Sequence, residues 1–225
     1  SRARSGRQRR TIGDEALTES QSGCLSPVAH PELAEDTRQA TKLLNHFNIK
    51  STLQSHHMYN EHRSVEAICG RIIEGETVAL ITDAGTPGIS DPGFLIVRES
   101  IRKGITVETL PGPTALIPAL VNSGLPCERF CFEGFLPQKK GRNKRMAALA
   151  EETRTMVFYE SPFRLVRTLG ELAALLGPDR EACVSRELSK IHEENIRGTL
   201  SSLAAHYSTR TPKGEIVIVV GGKKE

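Results

Sequence analysis

A short apolar run, Thr77 to Thr82, leads straight into an eleven-residue stretch with three glycines and two prolines, Asp83 to Gly93. This pairing constrains the fold more than any other feature of the chain. An apolar run of strand length without polar alternation suits a strand buried on both faces of a parallel sheet. Gly85, Gly88 and Gly93 permit positive φ or close backbone approach, and Pro87 and Pro92 stiffen the path. Open α/β sheets bind ligands beyond the carboxyl ends of their strands. The 83–93 loop is therefore a candidate site that offers main-chain N–H and C=O groups to a small zwitterionic ligand. It is not a G-x-G-x-x-G turn and no Walker lysine follows, so dinucleotide and nucleoside-triphosphate binding lose their main support. Asp91 followed by Pro92 also reads as an ordinary helix start, an N-cap and then proline at the first helical position.

Around this loop the chain alternates between strand and helix patterns. Residues 36–47 read as a helix with Leu43, Leu44 and Phe47 on one face, and 64–74 as another. A helix over 93–102 follows the loop, then a strand from Ile105 to Leu110, then a helix opened by Pro111–Pro113 and running through Val121. Beyond Cys127, strands are predicted at 130–135, 155–159, 181–186 and 215–220, with helices at 143–153 and from Ser161 onward. That last helix is predicted to bury Phe163, Val166, Leu169, Leu172, Ala173 and Leu176. The pattern is that of an α/β protein, with units at 32–125 and 126–225. Residues 1–31 show no apolar periodicity, and five of the first ten are Arg, which predicts a disordered tail.

Composition narrows the function classes. No run of about 18 apolar residues exists, so no membrane-spanning helix is expected. The five cysteines, odd in number and irregular in spacing, do not read as a disulfide framework and fit a reduced, cytoplasmic protein. Cys127 and Cys131 lack a second pair, and His56, His57 and His62 beside Glu61 lack metalloprotease spacing, so no metal site is expected. No G-x-S-x-G elbow supports hydrolysis.

The net charge of +3 identifies no partner, but its placement is informative. Lys139, Lys140, Arg142, Lys144 and Arg145 crowd into eight residues. They read either as a solvated helix start or as a clamp for RNA phosphates. No aromatic residue interleaves with them, so base stacking is not suggested there. Three further junctions are candidate ligand contacts, and each is equally readable as a plain turn or cap. These are Pro111–Ala115, Phe158–Arg164 and Lys213–Glu215.

Taken in order, AEDTRQATKLLNHFNIK (34–50), LITDAGTPGISDPG (80–93), LPGPTALIPALVNSGLP (110–126), FEGFLPQKKGRNKR (132–145), MVFYESPFR (156–164), SRELSKIHEENIRGTL (185–200) and KGEIVIVV (213–220) form one ordered set. Across about residues 32–222 this set resembles the tetrapyrrole methylase family, in its branch of small-subunit rRNA methyltransferases. The resemblance implies a two-domain α/β tetrapyrrole methylase-like fold with the methyl donor, S-adenosylmethionine, in the inter-domain cleft. It also implies a cytoplasmic homodimer that methylates the 2′-hydroxyl of a cytidine in the decoding region of 16S rRNA, on the small ribosomal subunit. Carried onto this sequence, donor contacts fall on Asp83, Ala84, Gly85, Ile89, Ser90, Thr114, Ala115, Phe158, Tyr159, Glu160, Lys213 and Gly214. Glu160, Glu187, Asp36 and His57 are the candidate proton acceptors. The alternatives are a precorrin-type tetrapyrrole methyltransferase and a catalytically inactive RNA-binding relative. Two departures stand out: the family's opening strand with its Pro-Thr-Pro-Ile-Gly-Asn loop has no counterpart in residues 1–31, and its small C-terminal helical extension is absent from the pattern.

Overall fold

A computed structural model describes residues 31–57, 61–210 and 212–223. The tail expected at the N-terminus lies outside the described residues, apart from Pro31. The chain divides into two units between Pro113 and Thr114.

The first unit holds β1 (Pro31–Ala34), α1 (Thr37–His46), β2 (Thr52–Ser55), α2 (Glu61–Ile73), β3 (Ala79–Ile81) and α3 (Phe94–Arg102). Its sheet is parallel, in the order β2-β1-β3. Leu33, Val65, Ile68, Cys69 and Ile96 form its core. α1 begins where Asp36 caps it, accepting the Arg38 N–H at 2.9 Å.

Two expectations fail in this unit. The strand predicted at Ile105–Leu110 does not form, and Val107 and Leu110 are exposed. An apolar run becomes a strand only when a neighbour supplies a ladder. Among the described residues β3 pairs with β1 alone, and segment 105–110 has no strand beside it. α3 begins after Gly93, not at an Asp91 cap. Asp91 instead accepts the Thr82 hydroxyl at 3.1 Å.

The second unit holds α4 (Leu116–Ser123), β4 (Phe130–Phe135), α5 (Arg142–Leu149), β5 (Thr155–Glu160), α6 (Leu165–Leu176), β6 (Glu181–Arg186), β7 (Glu194–Thr199), α7 (Leu200–Thr209) and β8 (Ile216–Val220). The sheet order is β4-β5-β8-β6-β7. β4 and β5 are parallel, and β8 lies antiparallel between β5 and β6. Side chains alternate across this sheet as the period of two requires. Met156, Phe158, Val184, Ile216, Ile218 and Val220 pack with Leu165, Leu169 and Leu172 of α6 and Leu200 and Leu203 of α7. Val157, Cys183, Val217 and Val219 face the other way, onto Leu116, Ala119 and Leu120 of α4. Covered on both faces, β8 is buried at every position, which explains its unbroken apolar run.

That packing places α4 in the second unit, so the division falls ahead of the boundary expected at 125/126. α6 starts later than predicted, because a turn closed by the Arg164 N–H on the Ser161 carbonyl precedes it. The buried face is therefore set by Leu165, Thr168, Leu169, Leu172 and Leu176, and Phe163 and Val166 are exposed. β7 and α7 are additional to the predicted elements; α7 opens on a capping box between Thr199 and Ser202. Among the described residues no helix is long and apolar enough to cross a membrane.

Candidate functional site

In the first unit, parallel strands bring three loops to one edge. Asp36 follows β1, His57 follows β2 and Asp83 follows β3. Asp83, Ala84, Gly85, Ile89 and Ser90 are all exposed, and Pro92 and Gly93 at the loop's exit are buried. Gly85 and Gly88 have φ of +83° and +82°, and Ser90 has φ of +66°. The loop is tied at both ends. Thr86 donates its hydroxyl to the Pro113 carbonyl at 3.2 Å, joining it to the Pro111–Pro113 segment. At its exit the Glu61 carboxylate accepts the N–H groups of Gly93 and Leu95, both at 3.0 Å.

The carboxylates of this edge differ in kind. Arg38 grips Asp36 through two nitrogens, with Nη2 to Oδ2 at 2.6 Å, and holds its carboxyl down at about 2. Burial pushes the Asp83 carboxyl up, and the neighbouring Asp36 carboxylate adds to this; a hydrogen bond from the Asp36 main chain and the Arg38 charge oppose it. The His57 carbonyl accepts the Glu61 N–H at 3.0 Å, which fixes the start of α2.

In the second unit, Thr114 and Ala115 stand at the entrance of α4, and Ala115 packs against its core. The Phe158 side chain is fully buried in the core, so only its main chain can meet a ligand. Tyr159 is half-buried, with its ring edge-on to Phe132 and Phe135. Glu160 is buried and its oxygens are occupied. They accept the Ser161 N–H at 2.7 Å, Arg164 Nε at 2.8 Å and the Thr168 hydroxyl at 2.6 Å.

Arg142 departs from the expected RNA contact. It is 5% exposed, and its guanidinium donates to Glu171, to the Pro137 carbonyl and to the Thr168 hydroxyl. A buried guanidinium with its donors engaged inside the fold has little left for a phosphate. Lys139, Lys140 and Lys144 are exposed, and Arg145 pairs with Glu133 at 2.5 Å. Glu187, with φ of +50°, accepts the Glu215 N–H at 2.9 Å and Lys190 Nζ at 3.0 Å. Burial raises its carboxyl, but those two partners outweigh burial and the net shift is downward. Its carboxylate lies where a Cβ on Gly214 would stand, and the Lys213 carbonyl accepts from Arg186 at 3.3 Å.

The family model for tetrapyrrole (corrin/porphyrin) methylases matches residues 19–204. The chain belongs to that family. Two curated relatives, each named ribosomal RNA small subunit methyltransferase I, are similar to most of it. The Xylella fastidiosa protein is 50% identical, covering 89% of this chain and 77% of its own. The Thermotoga maritima protein is 44% identical, covering 85% and 86%. Among solved structures of tetrapyrrole methylases, the methyltransferase CobJ superposes with a TM-score of 0.65 at 19% identity, covering 92% of this chain and 89% of its own. A Thermus thermophilus uroporphyrin-III C-methyl transferase complexed with S-adenyl homocysteine does so at 0.58 and 18% identity, covering 91% of each chain. These two likenesses bear out the tetrapyrrole methylase-like α/β fold.

Proposed function

We propose that the chain transfers the methyl group of S-adenosylmethionine to the 2′-hydroxyl of a cytidine in the decoding region of 16S rRNA. The observation that carries this reading is the 83–93 loop at the carboxyl edge of a parallel sheet, with Asp83, Ala84, Gly85, Ile89 and Ser90 exposed. The two curated relatives named as small-subunit rRNA methyltransferases support the substrate class. The S-adenyl homocysteine held by the Thermus structure, the demethylated form of the donor, supports the cofactor.

The loop fits such a group. A Cβ on Gly85 would stand 3.6 Å from the Pro113 carbonyl and narrow the approach to the loop. The Asp83 carboxylate suits a ligand that carries ammonium and sulfonium charge. When bound, the donor supplies an electrophilic methyl on its sulfonium. The chain's part is alignment, which contributes about 7–11 kcal/mol in well-oriented displacements, and acceptance of the hydroxyl proton. Of the four expected acceptors, Glu160 is buried and already accepts three hydrogen bonds, Asp36 is held at about 2 by Arg38, and Glu187 is held low by Glu215 and Lys190. His57 follows β2 at the same sheet edge as the 83–93 loop, and this placement makes it our candidate for the role.

The test is incubation of the purified chain with unmethylated 30S subunits and donor labelled in the methyl group. Label recovered as 2′-O-methylcytidine from 16S rRNA is the expected result. Label on a precorrin instead, or no transfer to either acceptor, would overturn the reading.

A further inference from the structure

Phe163 is 91% exposed, the largest exposure among the described large apolar side chains. It sits in the Ser161–Arg164 turn that leaves the carboxyl end of β5. The basic loop with Lys139 and Lys140 leaves the carboxyl end of β4, the parallel neighbour of β5. Both segments therefore emerge at one sheet edge. Buried side chains bolt them together. Arg142 donates to the Pro137 carbonyl at 3.1 Å and to Thr168 Oγ1 at 2.9 Å. Thr168 donates to Glu160 at 2.6 Å, and Glu160 accepts the Ser161 N–H at 2.7 Å. The basic loop is thus linked to the Phe163 turn through side chains that are 5%, 0% and 3% exposed. Lys139 and Lys140 stay exposed, and Phe135, half-exposed at the end of β4, sets its ring 5.7 Å from that of Tyr159.

One exposed apolar residue alone needs no explanation. A phenyl ring on a braced turn, at the same sheet edge as a loop with exposed ammonium groups, matches the chemistry of a nucleotide, which offers a π face and a phosphate. We propose that Phe163 stacks an unpaired nucleobase of the RNA substrate while Lys139 and Lys140 hold its flanking phosphates. An unpaired base is required, because only a splayed nucleotide offers its face to a side chain. This inference rests on the reading of the chain as an rRNA methyltransferase. It changes the role of Arg142 from phosphate contact to brace, and it supplies the aromatic group that the 138–145 segment itself lacks.

The test measures binding of the full chain to a single-stranded RNA oligonucleotide of the decoding-region sequence across a salt series. Phe163→Ala should weaken binding by about fivefold or more and leave the salt slope as in wild type. Phe163→Trp should restore affinity. The double variant Lys139→Gln/Lys140→Gln should flatten the slope by about 0.7 for each phosphate that is no longer neutralised. Donor affinity should be unchanged in all of them. Wild-type affinity in Phe163→Ala overturns the stacking alone. So does a change of oligomeric state by sedimentation in that variant, which would mean that Phe163 packs on a second copy. A wild-type chain that binds neither this RNA nor 30S subunits overturns the parent reading as well.

Discussion

Glu61 Oε1 stands 3.0 Å from the Gly93 nitrogen and accepts its N–H, although 32 residues separate the two in sequence. The same oxygen accepts the Leu95 N–H, so a carboxylate at the start of α2 caps α3. A carboxylate at a helix N-terminus satisfies orphan donors and complements the helix dipole. Here it also fixes the exit of the 83–93 loop. Gly93 has φ of +142°, and a Cβ there would meet Leu80 Cδ2 at 2.8 Å, so this exit has no spare room.

Glu61→Ala leaves two N–H groups without their acceptor, one of them buried. A loss of about 2–3 kcal/mol is expected, with a weaker affinity for the methyl donor. Glu61→Gln keeps an oxygen in place and should lose about 1 kcal/mol or less, the dipole contribution. Urea unfolding and donor titration of the two variants check this. Equal losses in both would show that the acceptor oxygen is not what matters.

Gly214 and Glu187 make a second such pair. The Glu187 carboxylate occupies the space of a Gly214 Cβ and is held there by the Glu215 N–H and Lys190. Gly214→Ala must expel it and also strain a φ of +89°. Gly104→Ala is the control: φ is +73° there too, but nothing lies within 4 Å of its Cβ. Backbone strain alone costs about 1–2 kcal/mol, so Gly104→Ala should lose that much. Gly214→Ala should lose at least about 1 kcal/mol more, from the broken hydrogen bonds. Thermal unfolding of the two variants compares them directly.

Elements that state their environment locally were legible in the sequence. The apolar run of β8 and the i, i+3/i+4 spacing of Leu169, Leu172 and Leu176 each describe what covers them, although Leu165, which opens that face, falls outside the predicted set. Four-residue strands such as β1 and β2 are too short to show a period, and Glu32 sits buried in one of them. Segment 105–110 has strand composition, but no composition reports whether a ladder partner is present. Two details around the candidate site were not legible for a related reason. Asp91–Pro92 is a complete local cap signal, yet the cap comes from Glu61 in another helix. Arg142 lies in a basic run and is nonetheless buried, because Thr168 and Glu171 of α6 claim it.

Arg142→Leu should therefore act as a stability variant. Removing the guanidinium leaves buried Thr168 short of a donor and Glu171 with Arg167 alone. Glu171 is partly exposed, so the expected loss is about 2–3 kcal/mol, below the range for a fully buried broken pair. Lys144→Gln, at an exposed position in the same run, should change stability by less than about 0.5 kcal/mol. Urea midpoints at fixed ionic strength measure both. An Arg142→Leu chain as stable as wild type would show that this side chain does not brace the fold.

His56 gives the stability a pH dependence with a defined sign. It is fully buried, with Nδ1 at 3.3 Å from Ser64 Oγ and Nε2 at 3.9 Å from Glu61 Oε1. Burial lowers its pKa, the Glu61 carboxylate opposes this, and His57 lowers it further; the net shift is below the ordinary 6.5. The folded chain thus binds the His56 proton less readily than the unfolded chain. The stability from neutral His56 is fully present above pH 6.5, declines as the pH falls through 6.5, and is gone below the folded pKa. His56→Asn carries no titrating ring, and all other groups are shared with wild type. The stability gap between the two chains should therefore be widest near pH 8 and should narrow toward pH 5. Urea unfolding of both chains at stepped pH reads the gap directly. A gap that stays constant across this range would mean that His56 is not held neutral by its burial.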